Sequence, residues 1–309
     1  MRCVLIYNPV SGQNPIRRAD QLNQTVNALK QLGFQAELIA TTAPGSAIEQ
    51  TRQAVLAGAD VVFACGGDGT IHEVIQALIS EKGEIVAALG IVPMGSANAL
   101  ARHLRLPLDP VQAALHQIRL APKSLPVGKI KFSGQTRYFT VMAGAGPDGA
   151  LVYNLPANNK SSLGRTAYYL RAARLFATRH FRTFNVEYTL AGTTAINSQR
   201  AVSAMTVRVG NLGGLFNRLV GQEASLADPN LTLLMLKAPA PLSLPLWFLS
   251  GWLNLHSLNP FLRSVQVSRF SCLPLGGQAP RFQADGEPLG RIPIEVSTVP
   301  NALRVLLPD

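Results

Sequence analysis

The sequence predicts an α/β chain in which an N-terminal parallel-sheet domain is followed by a β-rich, β-sandwich-like domain. Three observations predict it. Short apolar runs alternate with segments of helical period through the first 125 residues, the pattern of a parallel sheet covered by helices on both faces. Beyond Pro126 strand-like stretches dominate, with few helices between them. A chain of 309 residues, 47% of them hydrophobic, also builds two cores more readily than one. The domains expected are 1–125 and 126–309, with the final strand able to return to the first domain.

The first half reads in order as βαβαβαβα. Residues 2–7 (RCVLIY) form an apolar strand that stops at Asn8-Pro9. Leu22, Val26, Leu29 and Leu32 then recur at helical spacing until Gly33 breaks the pattern. Residues 34–40 alternate as a strand, 47–56 read as helix and 60–65 as a buried strand. Helix follows at 70–79, strand at 87–92 and helix again at 97–104. In such sheets ligands bind beyond the carboxyl ends of the strands, and Gly-containing turns fall there after strands 1, 3 and 4.

In the second half strands are expected at 128–132, 137–143, 184–190, 202–209, 231–236, 265–270, 293–297 and 303–307. The clearest helix runs over 163–181; with Arg182 it carries Arg165, Arg171, Arg174 and Arg179 among Tyr168, Tyr169, Phe176 and Phe181. Basic and aromatic residues interleaved in this way suit either a lipid headgroup surface or an ordinary solvated helix face.

Charge and cysteine usage narrow the setting. Lys and Arg total 28 against 17 Asp and Glu, so the surface attracts anions: nucleotide, acidic metabolite, nucleic acid or anionic membrane. No nucleic-acid-binding motif accompanies the charge, and none is expected to bind. Cys3, Cys65 and Cys272 are odd in number, distant and set in apolar runs, which predicts buried free thiols in a reducing, cytoplasmic setting. The N-terminal apolar run is too short for a signal peptide. Residues 238–262 carry no formal charge and nominally reach across a bilayer, yet Pro239, Pro241, Pro245 and Pro260 interrupt them. A buried helix that touches a membrane is expected there, with Trp247 and Phe248 either reaching the bilayer or packing in the core.

The stretch 61–78, VVFACGGDGTIHEVIQAL, carries the main chemical signal. Gly66 and Gly67 let a phosphate approach their backbone N–H groups, and the helix that follows turns its positive dipole end toward it. Thr70 can cap that helix or donate to a phosphate oxygen. Asp68 would repel the phosphate unless a divalent cation bridges the two, so the turn suits phosphate plus Mg²⁺. Taken alone, the same turn reads equally as an ordinary strand-to-helix connection. No GxxxxGK[ST] loop is present, which excludes the P-loop route.

GGDGTIHEV does not stand alone. With NPVSG at 8–12, PMGSANALARHL at 93–104, GAGPDGALV at 144–152 and ADGE at 284–287, the chain resembles the diacylglycerol kinase catalytic domain family. That family includes bacterial lipid kinases and the sphingosine and ceramide kinases. The wider superfamily, with NAD kinases and phosphofructokinases, is similar mainly at GGDGT. The resemblance implies an ATP-dependent lipid kinase that uses Mg²⁺ and transfers the γ-phosphate to a lipid hydroxyl, diacylglycerol or a related alcohol. By resemblance, Asn8, Ser11, Gly12, Gly66, Gly67, Asp68, Gly69 and Thr70 belong to ATP-phosphate loops. Gly95, Ser96 and Asn98 belong to a third nucleotide loop, and Thr42 lies near the base or ribose. Glu287 matches the general base, with Asp285 beside it, Asp68 serves the metal, and Asp148 faces the acceptor.

Several of these positions read in more than one way. Ser11, Ser96 and Thr42 also suit turns and caps, Asp285-Gly286 also suits a hairpin turn, and Asp148 also suits a helix N-cap. His72 stands where bacterial members commonly carry Asn and reads as a helix-face residue. Two rival functions stay open: a kinase of a soluble acceptor such as NAD, and a non-catalytic lipid-binding protein of the same fold. The expected partners are a lipid substrate and an anionic membrane at the cell's inner surface. A homodimer is left open.

Overall fold

The computed structural model describes residues 1–10, 15–81, 87–153, 181–210, 225–237, 240–253, 255 and 258–307. The chain divides into two compact units, one of Met1–Val127 with Val299–Asp309 and one of Gly128–Thr298. The helix expected over 163–181 lies outside the described residues, except for Phe181.

In the first unit β1 (Arg2–Tyr7) pairs in parallel with both β2 (Gln35–Ala40) and β3 (Val61–Gly66). Beyond β3 lies β4 (Ala88–Pro93), also parallel. Val305 of β15 (Ile294–Leu306) pairs in parallel with Leu89, so the end of the chain joins this sheet. Every residue of β3 and β4 is buried, as expected of strands covered on both faces. The helices are α1 (Pro15–Gln31), α2 (Ser46–Leu56), α3 (Asp68–Leu78), the short α4 (Ala99–His103) and α5 (Pro110–Gln117). Leu22, Val26 and Leu29 of α1 pack on Cys3, Leu5, Phe63 and Val92. Leu32, expected on the same stripe, is instead exposed, because α1 ends at Gln31. The chain there turns into β2, with Phe34 N–H donating to the Leu29 carbonyl at 3.2 Å. Helix α5 was not foreseen, although its start is written in the sequence: Pro110 opens the first turn and Asp109 Oδ1 accepts the Gln112 N–H at 2.9 Å.

The second unit is built on antiparallel pairs. Its strand order is β14 (Glu287–Arg291), β13 (Arg281–Ala284), β7 (Met142–Ala145), β10 (Ser203–Val207), β11 (Leu231–Leu236), β12 (Leu262–Pro274) and the first half of β15. The hairpin of β8 (Phe184–Leu190) and β9 (Ile196–Ala201) joins through β8 to β12. β5 (Pro122–Phe132) and β6 (Gln135–Phe139) form another hairpin. Phe139, Phe184, Tyr188, Leu231, Leu233, Met235, Phe270 and Phe282 share the core of this unit. The single strand expected over 137–143 is split into β6 and β7. The amides of Thr140, Val141 and Met142 are taken by the Asp285 carboxylate. The strands expected at 293–297 and 303–307 are one strand, β15. Helix α6 (Pro147–Tyr153) follows β7, and α7 (Ala240–Trp252) follows β11. Of the aromatic pair expected to reach a membrane or else the core, Trp247 is only 4% exposed and shares an apolar crevice with Met205, Leu234, Leu236 and Leu262, while the side chain of Phe248 lies outside what is described. All three cysteines are free and buried. Burial pushes the Cys3 thiol up to about 11 and raises Cys65 and Cys272 further, so they behave as small apolar residues.

Candidate functional site

The first unit gathers its loops through register. Tyr7 aligns with Ala40 and Cys65, and Gly66 with Pro93, so the carboxyl ends of β1 to β4 finish together. Backbone bonds continue the alignment into the loops: Thr41 N–H to the Tyr7 carbonyl at 2.8 Å, and Met94 N–H to the Gly66 carbonyl at 2.9 Å. Asn8, Thr42, Gly66 to Thr70, Gly95, Ser96 and Asn98 therefore emerge along one edge of the sheet. Ser11 and Gly12 lie outside the described residues.

At this edge two turns touch backbone to backbone. A Cβ on Gly95 would stand 2.4 Å from the Gly67 Cα, a separation no side chain tolerates. Asn98, at φ +49, fixes the turn by accepting the Gly95 N–H and donating to the Gly95 carbonyl, each at 2.9 Å. Its side chain thus shapes the loop from within. Thr70 is buried against Gly66, in the space a Cβ there would take. Ser96 and Thr42 are exposed. Asn8 Oδ1 accepts the Val10 N–H at 2.9 Å and so holds a tight turn after β1.

Asp68 opens α3 and is half-buried. Its Oδ2 accepts the N–H of Ala99 at 3.1 Å and its Oδ1 that of Leu100 at 3.3 Å, which ties the GGDG turn to the start of α4. No group of three or more His, Cys, Asp or Glu able to hold a metal occurs among the described residues. The chemistry of a lone carboxylate at the GGDG turn suits an Mg²⁺ that it would share with phosphate and water.

Two supporting residues escaped the sequence reading. Glu73, on α3, accepts the N–H groups of Gly45 at 2.8 Å and Ala47 at 3.2 Å and so caps α2 across the loop that carries Thr42. In the same loop Ser46 Oγ accepts the Thr42 N–H at 3.0 Å. Arg18, 6% exposed, donates through Nη1 to the Pro9 carbonyl, and burial lowers its pKa. Glu73 lies within the GGDGTIHEV stretch and Arg18 in no motif, and a polar residue on a helix gives no hint of partners such as those of Glu73, 26 and 28 positions away.

The second unit holds the other candidates. Asp285 and Gly286 form the two-residue turn of the β13–β14 hairpin with φ +49 and +81, which is the I′ pattern. The hairpin reading of this pair is thus correct, and the turn does more. Asp285 is 6% exposed, and its carboxylate accepts the N–H groups of Thr140 at 2.9 Å, Val141 at 2.8 Å and Met142 at 3.0 Å. Arg208, 2% exposed, feels the charges of Asp228 and Asp285, while burial lowers its pKa to about 10. Asp285 is therefore an anchor that fixes the turn, and Glu287, half-buried, begins the strand just after it.

Asp148 lies in the first turn of α6. A Cβ on Gly144 would meet its Oδ2 at 2.0 Å, so the glycine makes the room in which the carboxylate sits. Gln283 Nε2 donates to Oδ2 at 3.2 Å, and Gln283 Oε1 accepts the Gly286 N–H at 2.9 Å, which links Asp148 to the turn before Glu287. Oδ1 is buried with no hydrogen-bond partner among the described residues. Burial pushes the Asp148 pKa up to about 6, against the lowering effect of the Gln283 and backbone hydrogen bonds. Gln283, 1% exposed, was also missed by the sequence reading.

Comparisons with known proteins give the family and the fold of the chain. The diacylglycerol kinase catalytic domain family matches residues 2–130. A diacylglycerol kinase of Bacillus subtilis (strain 168) is 32% identical over 237 residues, covering 76% of this chain and 74% of the relative. A crystal structure of a diacylglycerol kinase from Bacillus anthracis str. Sterne superposes with a TM-score of 0.69 at 19% identity, covering 99% of this chain and 97% of the other. Yeast NADH kinase complexed with NADH shares the fold at a TM-score of 0.53 and 12% identity, with coverage of 100% and 84%. At those identities the two structures speak for the fold alone.

Proposed function

The chain belongs to the diacylglycerol kinase family and is a kinase, and on that premise we propose that it transfers the γ-phosphate of ATP to the hydroxyl of a lipid, diacylglycerol or a related alcohol. One observation supports the nucleotide half above the rest. The Gly67 and Gly95 turns meet at a distance that excludes any side chain, at the shared carboxyl edge of β3 and β4, with the N-terminus of α3 opening between them. Such an edge offers backbone N–H groups and a positive helix end to phosphate oxygens.

Within that reading Asp68 would hold an Mg²⁺ bound to the nucleotide phosphates. When bound, the ion supplies charge neutralisation for phosphoryl transfer. Asn98 keeps the Gly95 turn in shape, and Asn8 keeps the first turn close to the same edge. A lipid hydroxyl is a poor nucleophile at neutral pH, so a carboxylate that takes its proton assists the attack. Glu287 has that role. Asp285 acts through it as a positioning residue, since its oxygens already hold three backbone amides. Asp148, desolvated and with Oδ1 still open to a donor, is suited to accept a hydrogen bond from the acceptor or its head group.

The test is transfer of labelled phosphate from ATP to a panel containing diacylglycerol, sphingosine, ceramide and NAD, with and without Mg²⁺. Labelling of a lipid and not of NAD, dependent on Mg²⁺, is the expected result. Labelling of NAD alone overturns the lipid acceptor, and absence of any transfer from a folded, ATP-binding protein favours a non-catalytic lipid-binding role.

A further inference from the structure

Strand β13 alternates. Phe282 and Ala284 enter the core of the second unit, and Gln283 between them turns to the other face, where α6 lies. The helix packs there so closely that a Cβ on Gly149 would strike the Arg281 carbonyl. Gln283 is consequently 1% exposed. A side chain pressed between a helix and a sheet is ordinarily apolar, since burying an amide is unfavourable unless its polar ends are bonded. Both ends of Gln283 are bonded, to groups of opposite polarity. Nε2 donates to Asp148 Oδ2 at 3.2 Å, and Oε1 accepts the Gly286 N–H at 2.9 Å.

Strand register explains how one side chain reaches both. Gln283 lies opposite Gly144 across β13 and β7, and Met205 lies opposite Gly144 from the β10 side. Asp148 Oδ2 fills the space that a Cβ on Gly144 would take, so it has Gln283 on one flank and Met205 on the other. Of these two neighbours only Gln283 can donate a hydrogen bond. In the other direction, Asp285 and Gly286 lie outside the β13–β14 ladder, and their N–H groups need partners elsewhere. That of Asp285 goes to the Met142 carbonyl at 2.8 Å, and that of Gly286 to Gln283. Glu287 follows at once as the first residue of β14.

The two partners narrow the choice of side chain. An ionised carboxylate only accepts and a backbone N–H only donates, so the residue between them must do the reverse at each end. Glu lacks a donor for Asp148, Lys and Arg lack an acceptor for Gly286, and Asn is one methylene shorter. The bond also orients the carboxylate. With Oδ2 held at Gln283, the oxygen left for an acceptor is Oδ1, buried with no hydrogen-bond partner among the described residues.

We propose that Gln283 is a positioning residue for the transfer reaction: its amide holds the Asp148 carboxylate and the Asp285–Gly286 turn in one fixed relation, so that the acceptor contact and the base at Glu287 are set together. This rests on the reading in which Asp148 meets the acceptor and Glu287 takes its proton. Gln283 acts through those two residues and moves no proton itself.

The test uses the full chain, labelled ATP and a short-chain, water-soluble diacylglycerol, with circular dichroism to confirm the fold of each variant. Gln283→Met keeps the length of the side chain and removes both bonds. It should lower kcat about tenfold or more and raise the KM for the diacylglycerol severalfold, because small misplacements of reacting groups slow transfer steeply, while the KM for ATP stays at the wild-type value. Gln283→Glu keeps the acceptor for the Gly286 N–H and sets a second carboxylate against Asp148, so it should raise the KM for the diacylglycerol more than it lowers kcat. In an Asp148→Asn background, where the new amide can donate to that carboxylate, the same change should add little further loss.

A folded Gln283→Met protein with wild-type kcat and diacylglycerol KM overturns the proposal. So does an equal rise in the KM for ATP, the mark of general loosening. Additive losses from Gln283→Glu and Asp148→Asn overturn it as well, and this pair decides alone if Gln283→Met does not fold. Wild-type kinetics in both Asp148→Asn and Glu287→Gln would sink the reading of those two carboxylates, and the proposal with it. Losses in both of these, with none in Gln283→Met, would remove the positioning role and leave that reading in place.

Discussion

Asp68 Oδ2 accepts the backbone N–H of Ala99 at 3.1 Å, and Oδ1 accepts that of Leu100, so the acid at the centre of the GGDG turn also holds the start of α4. Two roles therefore fall on one carboxylate, and two substitutions separate them. Asp68→Ala removes both acceptors and should destabilise the protein by about 1–2 kcal/mol as well as abolish turnover. Asp68→Asn keeps one oxygen near those amides and should melt close to the wild type, yet lose turnover by about 10²-fold or more because the charge for Mg²⁺ is gone. Thermal melts and initial rates at saturating Mg²⁺ decide. Near wild-type turnover by the Asn variant would reduce Asp68 to a loop anchor.

Asp285 should be more costly to neutralise than Asp68. Asn tolerates the positive φ of this position, so Asp285→Asn leaves the backbone unstrained and isolates the side chain. An amide NH₂ would then face one of the N–H groups of Thr140, Val141 and Met142, and the charge opposite buried Arg208 is lost. A loss of about 3 kcal/mol is expected, measured by denaturant unfolding. A change below about 0.5 kcal/mol would show that the cage contributes nothing beyond shape.

Glu287→Gln should lower kcat by about 10²-fold or more with little change in the KM for ATP, since general-base assistance is typically worth about 10²–10⁴. The stability should stay near wild type, in contrast to Asp285→Asn. Loss of ATP affinity with kcat retained would move Glu287 to the nucleotide side.

The Asp148 carboxyl, raised to about 6, ties stability to pH in an unusual direction. Its folded pKa lies above the ordinary value of 3.8, so the folded state holds the proton more tightly. Stability from this group is present at low pH and declines as pH rises from about 4 to about 6, then levels off. Asp148→Asn, neutral and of the same shape, should remove that decline. At pH 7 it should gain about 1–3 kcal/mol, the order that a shift of about two pH units represents. Acceptor KM should rise in the same variant. Urea midpoints at several pH values test the first part, and an unchanged pH slope in the variant would sink it.

Gly95→Ala should raise the KM for ATP about tenfold or more, because the added Cβ meets the Gly67 Cα and Asn98 Oδ1 and must push the two turns apart. Gly134→Ala, where nothing lies within 4 Å but φ is +74, serves as the control. It should lose some stability without a change in KM. Equal KM values for both variants would mean that the Gly67–Gly95 contact does not shape the nucleotide edge.

The linear pattern was enough to determine the alternation of apolar and helical periods that makes the parallel sheet, because β3 and β4 are buried throughout and α1 repeats Leu22, Val26 and Leu29 at the right spacing. Local chemistry was equally legible: glycines next to an acid after a buried strand, and an Asp-Gly pair that turns a hairpin. These signals lie within a few residues of each other, where steric and hydrogen-bond preferences act along the chain. Tertiary structure alone decided what those residues hold. Asp68 reaches Ala99, Glu73 reaches Gly45, Asp285 reaches Thr140 across 145 positions, and Gln283 reaches Asp148. A carboxylate or amide has the same sequence signature whether it faces water, metal or a distant backbone N–H. Only the packing that removes water from it fixes the partner. The same reason sorts the two tryptophans of α7. Helical period places them on different faces, but only the sheet beneath makes Trp247 the inner one and leaves Trp252 outside.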